Sequence, residues 1–253
     1  MGRNISTEKL LEHKKSALCR LESYIDSLIK SPDAKIRGKA DKFSYWLEDW
    51  TTFLDFEPEF SSASLRRYKR GEIIKAHLGY NVGSEEGGLH YCVVIDKNNS
   101  RNSPVLTIVP LTSVKKKTDL LHLHRGNVHL GNELFTNLSS KISYTEKTFL
   151  ARMVELKETI GLLNEETPDD TLANIKRDLD VCKQELVLLN RMKDEVAKMK
   201  IGSIALVGQI RTISKIRIYD PKTNFDILSN VKLSTEKLDL IDSEILHNFT
   251  GQK

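Results

Sequence analysis

The chain alternates between two hydrophobic periods, and the switches between them divide it. Residues 7–30 place Leu10, Leu11, Leu18, Leu21, Ile25 and Leu28 at helical spacing, behind Ser6 or Thr7 as a cap. After the Ser31-Pro32-Asp33 break, residues 34–54 carry Phe43, Leu47, Trp50 and Leu54 on one face of a second expected helix. Glu57-Pro58-Glu59 and Ser61-Ser62-Ala63-Ser64 then read as a linker. From Tyr68 the period becomes that of strands. Residues 72–78 alternate, 91–95 form a buried run, and 105–111 are rich in branched side chains. Residues 98–104 are turn-rich, 120–124 and 127–130 suggest further strand, and 133–138 a short helical turn.

Helical spacing returns over residues 144–163, with Phe149, Met153, Leu156, Ile160 and Leu163 at steps of four and three. A polar turn holding Pro168 separates them from residues 171–199. That segment carries Leu172, Ile175, Leu179, Cys182, Leu186, Leu189 and Val196 on one seam. Two apolar seams joined by a short polar turn describe an antiparallel helical hairpin. The seams are expected to bury each other, which would make the hairpin separable. Gly202 closes it. Strand character resumes at residues 203–207, 217–219 and 225–227, and residues 235–249 fit a final helix bearing Leu238, Ile241, Ile245 and Phe249. Periodicity therefore gives an α+β chain in which a β-rich unit is preceded by helices and split by a hairpin. The expected divisions are 1–60, 67–142, 143–200 and 201–253.

Composition narrows the classes. A chain of 253 residues is long enough to bury a core, and 39% hydrophobic with 29% charged residues is ordinary for a helix-rich soluble protein. A net charge of +4 permits nucleic-acid binding without implying it. Cys19, Cys92 and Cys182 are widely spaced and odd in number, which argues against a disulfide framework and for a reducing cytoplasm. No apolar run has the length to span a bilayer, and the first residues lack a signal-like apolar core. Walker, dinucleotide, zinc and nucleophile-elbow patterns are all missing. His122 and His124, two apart with His129 nearby, would share one face of a strand. No cysteine or carboxylate completes a metal pattern with them, so neither metal nor cofactor is expected.

Candidate chemistry gathers in two segments. Gly83-Ser84-Glu85-Glu86-Gly87-Gly88 lies directly before Leu89-His90 and the apolar run. Its glycines permit positive φ and close backbone approach, and its side chains supply hydroxyl, carboxylate and imidazole groups. Residues 202–218 form the second segment. Arg70-Gly71-Glu72, Gly83-Ser84-Glu85, Gly88-Leu89-His90, the strand at 92–95, Ser103-Pro104, Pro110-Leu111-Thr112-Ser113 and Gln209-Ile210-Arg211-Thr212 follow one another in an order and spacing that resembles the MazF/PemK family of toxin endoribonucleases. The resemblance covers about half the chain. About ninety residues separate Thr112 from Ile201, far more than in compact members.

The resemblance implies an SH3-like small β-barrel that dimerises. It implies metal-independent cleavage of single-stranded RNA by 2′-OH attack, leaving a 2′,3′-cyclic phosphate and a 5′-OH, and an antitoxin partner. Compact members carry an arginine at the position of His90 and Ser or Thr at that of Thr112. Here His90 replaces a fixed cation with a group that titrates near neutrality, able to act as general acid or base. Thr112 would bond a phosphate oxygen, and Glu85 would take the 2′-OH proton or orient His90. Ser84, Gln209, Arg211, Lys115 and Lys116 are the expected RNA contacts. The basic run Arg66-Arg67-Tyr68-Lys69-Arg70 and Lys115-Lys116-Lys117 would attract a phosphate backbone if they flank the groove. Two readings compete: a degenerate barrel that binds nucleic acid or protein without cleaving, and a regulatory subunit that assembles through its coiled coil. Residues 43–60 combine aromatic side chains with Glu48, Asp49, Asp55, Glu57 and Glu59 and hold no Lys or Arg. Such a segment suits occlusion of a basic groove in cis, and equally suits plain packing on the barrel.

Overall fold

The computed structural model describes residues 6–164 and 167–251. Five α-helices and a seven-stranded antiparallel sheet make up an α+β fold among the described residues. The chain divides into two compact units, residues 1–60 with 79–88, and residues 61–78 with 89–253.

The first unit is a helical pair with a loop. Helix α1 (Thr7–Ile29) starts at Ser6, whose side chain accepts from the Lys9 amide, and α2 (Ala34–Phe56) starts at Asp33, which accepts from Lys35. Both caps satisfy amide groups that a helix start otherwise leaves unpaired. The loop at 79–88 belongs to this unit. Tyr80 stacks on Phe43 with ring centroids 4.6 Å apart. The loop closes on itself, with the Gly88 amide donating to the Gly79 carbonyl at 2.7 Å and the Asn81 side chain to the Glu86 carbonyl at 2.6 Å. Gly79 has φ +96°, and a side chain there would meet the Trp46 ring at 3.3 Å; a Cβ on Gly87 would lie 2.7 Å from the Gly79 carbonyl oxygen.

The second unit is built around the sheet. Its strands are β1 (Ile73–His77), β2 (Leu89–Val94), β3 (Val105–Ser113), β4 (Asn127–Gly131), β5 (Ser203–Leu206), β6 (Arg211–Ser214) and β7 (Ile218–Asp220). Strand β3 is the hub. One edge pairs with β2, while the other pairs first with β6 and then, from Leu111 to Ser113, with β5. The order β4-β5-β3-β2-β1-β7 does not close among the described residues, so the barrel is an open one.

Helices α3 (Glu133–Gly161) and α4 (Asp169–Lys198) form the antiparallel hairpin between β4 and β5, and α5 (Thr235–Phe249) follows the sheet. The core joins Ile73, Val93, Val109 and Leu111 of the sheet to Leu134 and Leu138 of α3, Leu189 and Met192 of α4, and Leu238 and Ile241 of α5. Only the distal part of the hairpin buries its own seam, through Leu156, Ile175 and Cys182. The expectation of a self-contained hairpin therefore fails at its base, where the same two helices complete the sheet's core. Helix α3 also starts earlier than its apolar period suggested, because residues 133–138 are its first turns rather than a separate one.

Two other expectations change. Residues 120–124 form no strand, so the shared face assumed for His122 and His124 is not present; His122 instead pairs with Asp119 at 2.9 Å. Residues 225–227 are turn rather than strand. The basic run at 66–70 is largely structural. Arg66 grips both oxygens of Glu72 in a nearly buried pair, and Arg70 bonds Asp242 and the Ile95 carbonyl. Among the described residues no helix is long and apolar enough to cross a membrane.

Candidate active site

His90 and Thr112 reach one cleft because of how β2 and β3 end. His90 is the second residue of β2, and its Nδ1 lies 3.3 Å from the Leu111 carbonyl oxygen of β3. Cys92 pairs with Pro110, so continuing the antiparallel register sets His90 opposite Thr112. Cross-strand partners share a face of the sheet. Both residues line a cleft of about 300 Å³, together with Lys75 and Tyr91 from the strands and Glu195, Lys198, Met199 and Lys200 from the end of the hairpin. Thr112 and Ser113 also line a second cleft of about 440 Å³, whose wall includes Lys115, Lys117, His122 and His124. The two clefts meet at the end of β3.

The electrostatics of the first cleft centre on Glu195. Its Oε1 accepts from Lys75 Nζ at 2.6 Å and from the Tyr91 hydroxyl. Lys75 and Tyr91 are partners across the β1–β2 ladder, and the ammonium lies 5.2 Å from the Tyr91 ring centroid. Burial would raise the Glu195 carboxyl, but the bonds from Lys75 and Tyr91 and the charges of Lys75 and Lys198 outweigh it and hold it below the usual carboxylate range. Burial, then the bond to Glu195, pushes the Tyr91 hydroxyl above its ordinary value. Tyr91 is therefore a donor and Glu195 an acceptor at neutral pH.

The remaining expected residues are spread out. Ser84 and Glu85 are exposed in the loop of the first unit and do not line the cleft. Lys115 lines the second cleft, while Lys116 is exposed beside it. Arg211 stands on β6 opposite Ile108, and its guanidinium folds back on Gln209, with Nη2 at 3.3 Å from Oε1. Gln209 and Arg211 thus belong to the other half of β3 and line neither cleft. Lys75, Tyr91, Glu195, Lys198 and Lys200 were not singled out from the sequence. Lys75 had a signal: it is a lone cation in the apolar run Ile73, Ile74, Ala76. Glu195 had none, being one carboxylate among many on α4.

Residues 69–180 match the model of the family described as PemK-like, MazF-like toxins of type II toxin–antitoxin systems. The chain is similar to these toxins from the approach to β1 into α4, a little under half of its length. The helical pair before residue 69 and the segment after α4, including Gln209 and Arg211, lie outside the match. No curated protein matches the chain.

Proposed function

We propose that this chain is a toxin endoribonuclease that cleaves single-stranded RNA without a metal ion, using the ribose 2′-OH as nucleophile. The observation that carries the reading is the meeting of His90 and Thr112 in a cleft walled by lysines. In the proposed reaction the 2′-oxygen attacks phosphorus, its proton leaves to a base, and the bond from phosphorus to the 5′-oxygen breaks as that oxygen gains a proton. The products are a 2′,3′-cyclic phosphate and a 5′-OH. Water, metal and cofactor are not consumed in this step.

His90 is the proton-transfer group. An imidazole both accepts and donates near neutrality, and protonated it also steadies an anionic phosphorane. Thr112 donates its hydroxyl to a non-bridging phosphate oxygen. Lys115 and Lys116 attract the flanking backbone. Glu85, Ser84, Gln209 and Arg211 do not line this cleft and take no part in the proposed step. A homodimer and an antitoxin partner belong to the same reading.

The test is cleavage of a single-stranded RNA oligonucleotide in EDTA, with end-group analysis of the products. Cyclic phosphate and 5′-OH ends are expected, and His90→Ala should lower the rate by about 10²–10⁴-fold, the usual worth of a general acid or base. Activity that vanishes in chelator and returns with Mg²⁺ rejects the mechanism. A folded protein that binds RNA but never cleaves it favours the alternative of a binding module, for which the loss of the arginine at position 90 is the motive.

A further inference from the structure

The cleft has one wall that the sheet does not supply. Glu195, Lys198, Met199 and Lys200 come from the last turn of α4 and the residues that follow it, at the return of the helical hairpin to the sheet. Glu195 is engaged with Lys75 and Tyr91, which fixes the end of α4 to β1 and β2. Lys198 and Lys200 are exposed, and neither is held in a salt bridge among the described residues. The cleft therefore holds three lysines against one carboxylate, and that carboxylate is already satisfied within the protein.

Resting on the ribonuclease reading, we propose that the helical insert is part of the substrate site. Lys198 and Lys200 bind backbone phosphates of single-stranded RNA. Glu195 is a positioning residue that holds Lys75 beside them as a third cation. Lys75, ion-paired to Glu195, thus stands in the same cleft as His90 and Thr112. A polyanion fits better than a single anion, because the cations continue past Thr112 and Ser113 to Lys115 and Lys117 in the adjoining cleft. A short mobile anion would need only one of these groups, whereas a nucleic-acid strand places a phosphate at every step along a basic groove.

The experiment uses the full chain and two probes: a cleavable RNA oligonucleotide, and the same sequence with every 2′-OH methylated, which binds but cannot react. For Lys198→Ala/Lys200→Ala, exposed positions that leave the fold intact, binding of the methylated probe should weaken about tenfold at moderate salt. The slope of log affinity against log salt should fall by about 1.4, two single-strand contacts at about 0.7 each. Glu195→Gln should lower kcat/KM on the cleavable RNA about tenfold in the wild-type background. It should add nothing in a Lys75→Met background, since the group it positions is gone. Unchanged affinity and salt slope in the double-alanine protein, with wild-type cleavage intact, overturn the inference and leave the ribonuclease reading standing. Additive losses from Glu195→Gln and Lys75→Met overturn the positioning role. Displacement of the probe by poly-glutamate as effectively as by RNA shows an acidic-protein site instead and also overturns it. A wild-type chain that neither binds nor cleaves RNA removes both readings together.

Discussion

At the scale of single residues, Lys141 is a cation whose charge depends on its setting. Its Nζ donates to the carbonyls of Asp226, Ile227 and Ser229 at 3.1, 2.8 and 2.8 Å, tying α3 to the chain that precedes α5. Burial, partly offset by Asp220, still pulls its pKa down to about 8. The unfolded chain keeps the ordinary lysine value, so between about pH 8 and that value the unfolded state binds more protons. Stability contributed by this group therefore rises with pH across that window and is constant below it. Lys141→Met should flatten that rise in the denaturant midpoint. It should also lower the midpoint at neutral pH, since three carbonyls, two of them on buried residues, lose their donor. A midpoint that climbs as steeply in the variant as in the wild type refutes the assignment.

Among elements, the hairpin separates what a sequence reveals from what it hides. Its two helices were legible because apolar residues at steps of three and four persist over many turns, which no strand sustains. Its true start was not. Asn137, Ser139 and Ser140 interrupt the apolar pattern, although Leu134 and Leu138 already face the core. The purpose of its base was hidden as well, since a seam that packs against another helix and one that packs against a sheet share a period. The same limit applied to the site. His90 and Thr112 were legible from residue order, but Glu195 and Lys198 reach the cleft only through tertiary folding across more than eighty intervening residues. Strand β6 was obscured because Arg211 and Thr212 break its apolar alternation. Replacing residues 153–179 with a short Gly/Ser linker should leave cooperative unfolding of the sheet in place. Replacing residues 144–199 should abolish it, because Leu189 and Met192 leave the core. Single Leu189→Ala should cost about 2–5 kcal/mol, as for other large-to-small changes in a packed core. Cooperative unfolding of the larger deletion, followed by circular dichroism, would show the base to be dispensable.

For the whole molecule, the division into two units bears on how restraint of the activity is tested. The acidic, aromatic segment 43–60 suits either occlusion of a basic groove or plain packing, and experiment separates the two. Deleting residues 1–60 also removes Phe43 and Trp46, on which the loop at 79–88 packs, so a change in rate after deletion has two causes. Reversing the charges of Glu48, Asp49 and Asp55 leaves both aromatic supports in place. RNA cleavage or binding should then increase. A folded triple variant with unchanged or lower affinity and rate rejects restraint by this segment.

The loop's dependence on α2 reaches beyond this one chain. Ser84 and Glu85 sit on a segment whose shape is fixed by the Gly88 amide bonding the Gly79 carbonyl and by Gly79 lying against Trp46. Such a loop is not an interchangeable part. Grafted alone onto a compact relative, it would lose the surface that shapes it; replaced here by a relative's loop, it would leave Trp46 and Phe43 uncovered. The loop and α2 therefore form one packed unit. Attempts to retarget the protein would have to transplant them together.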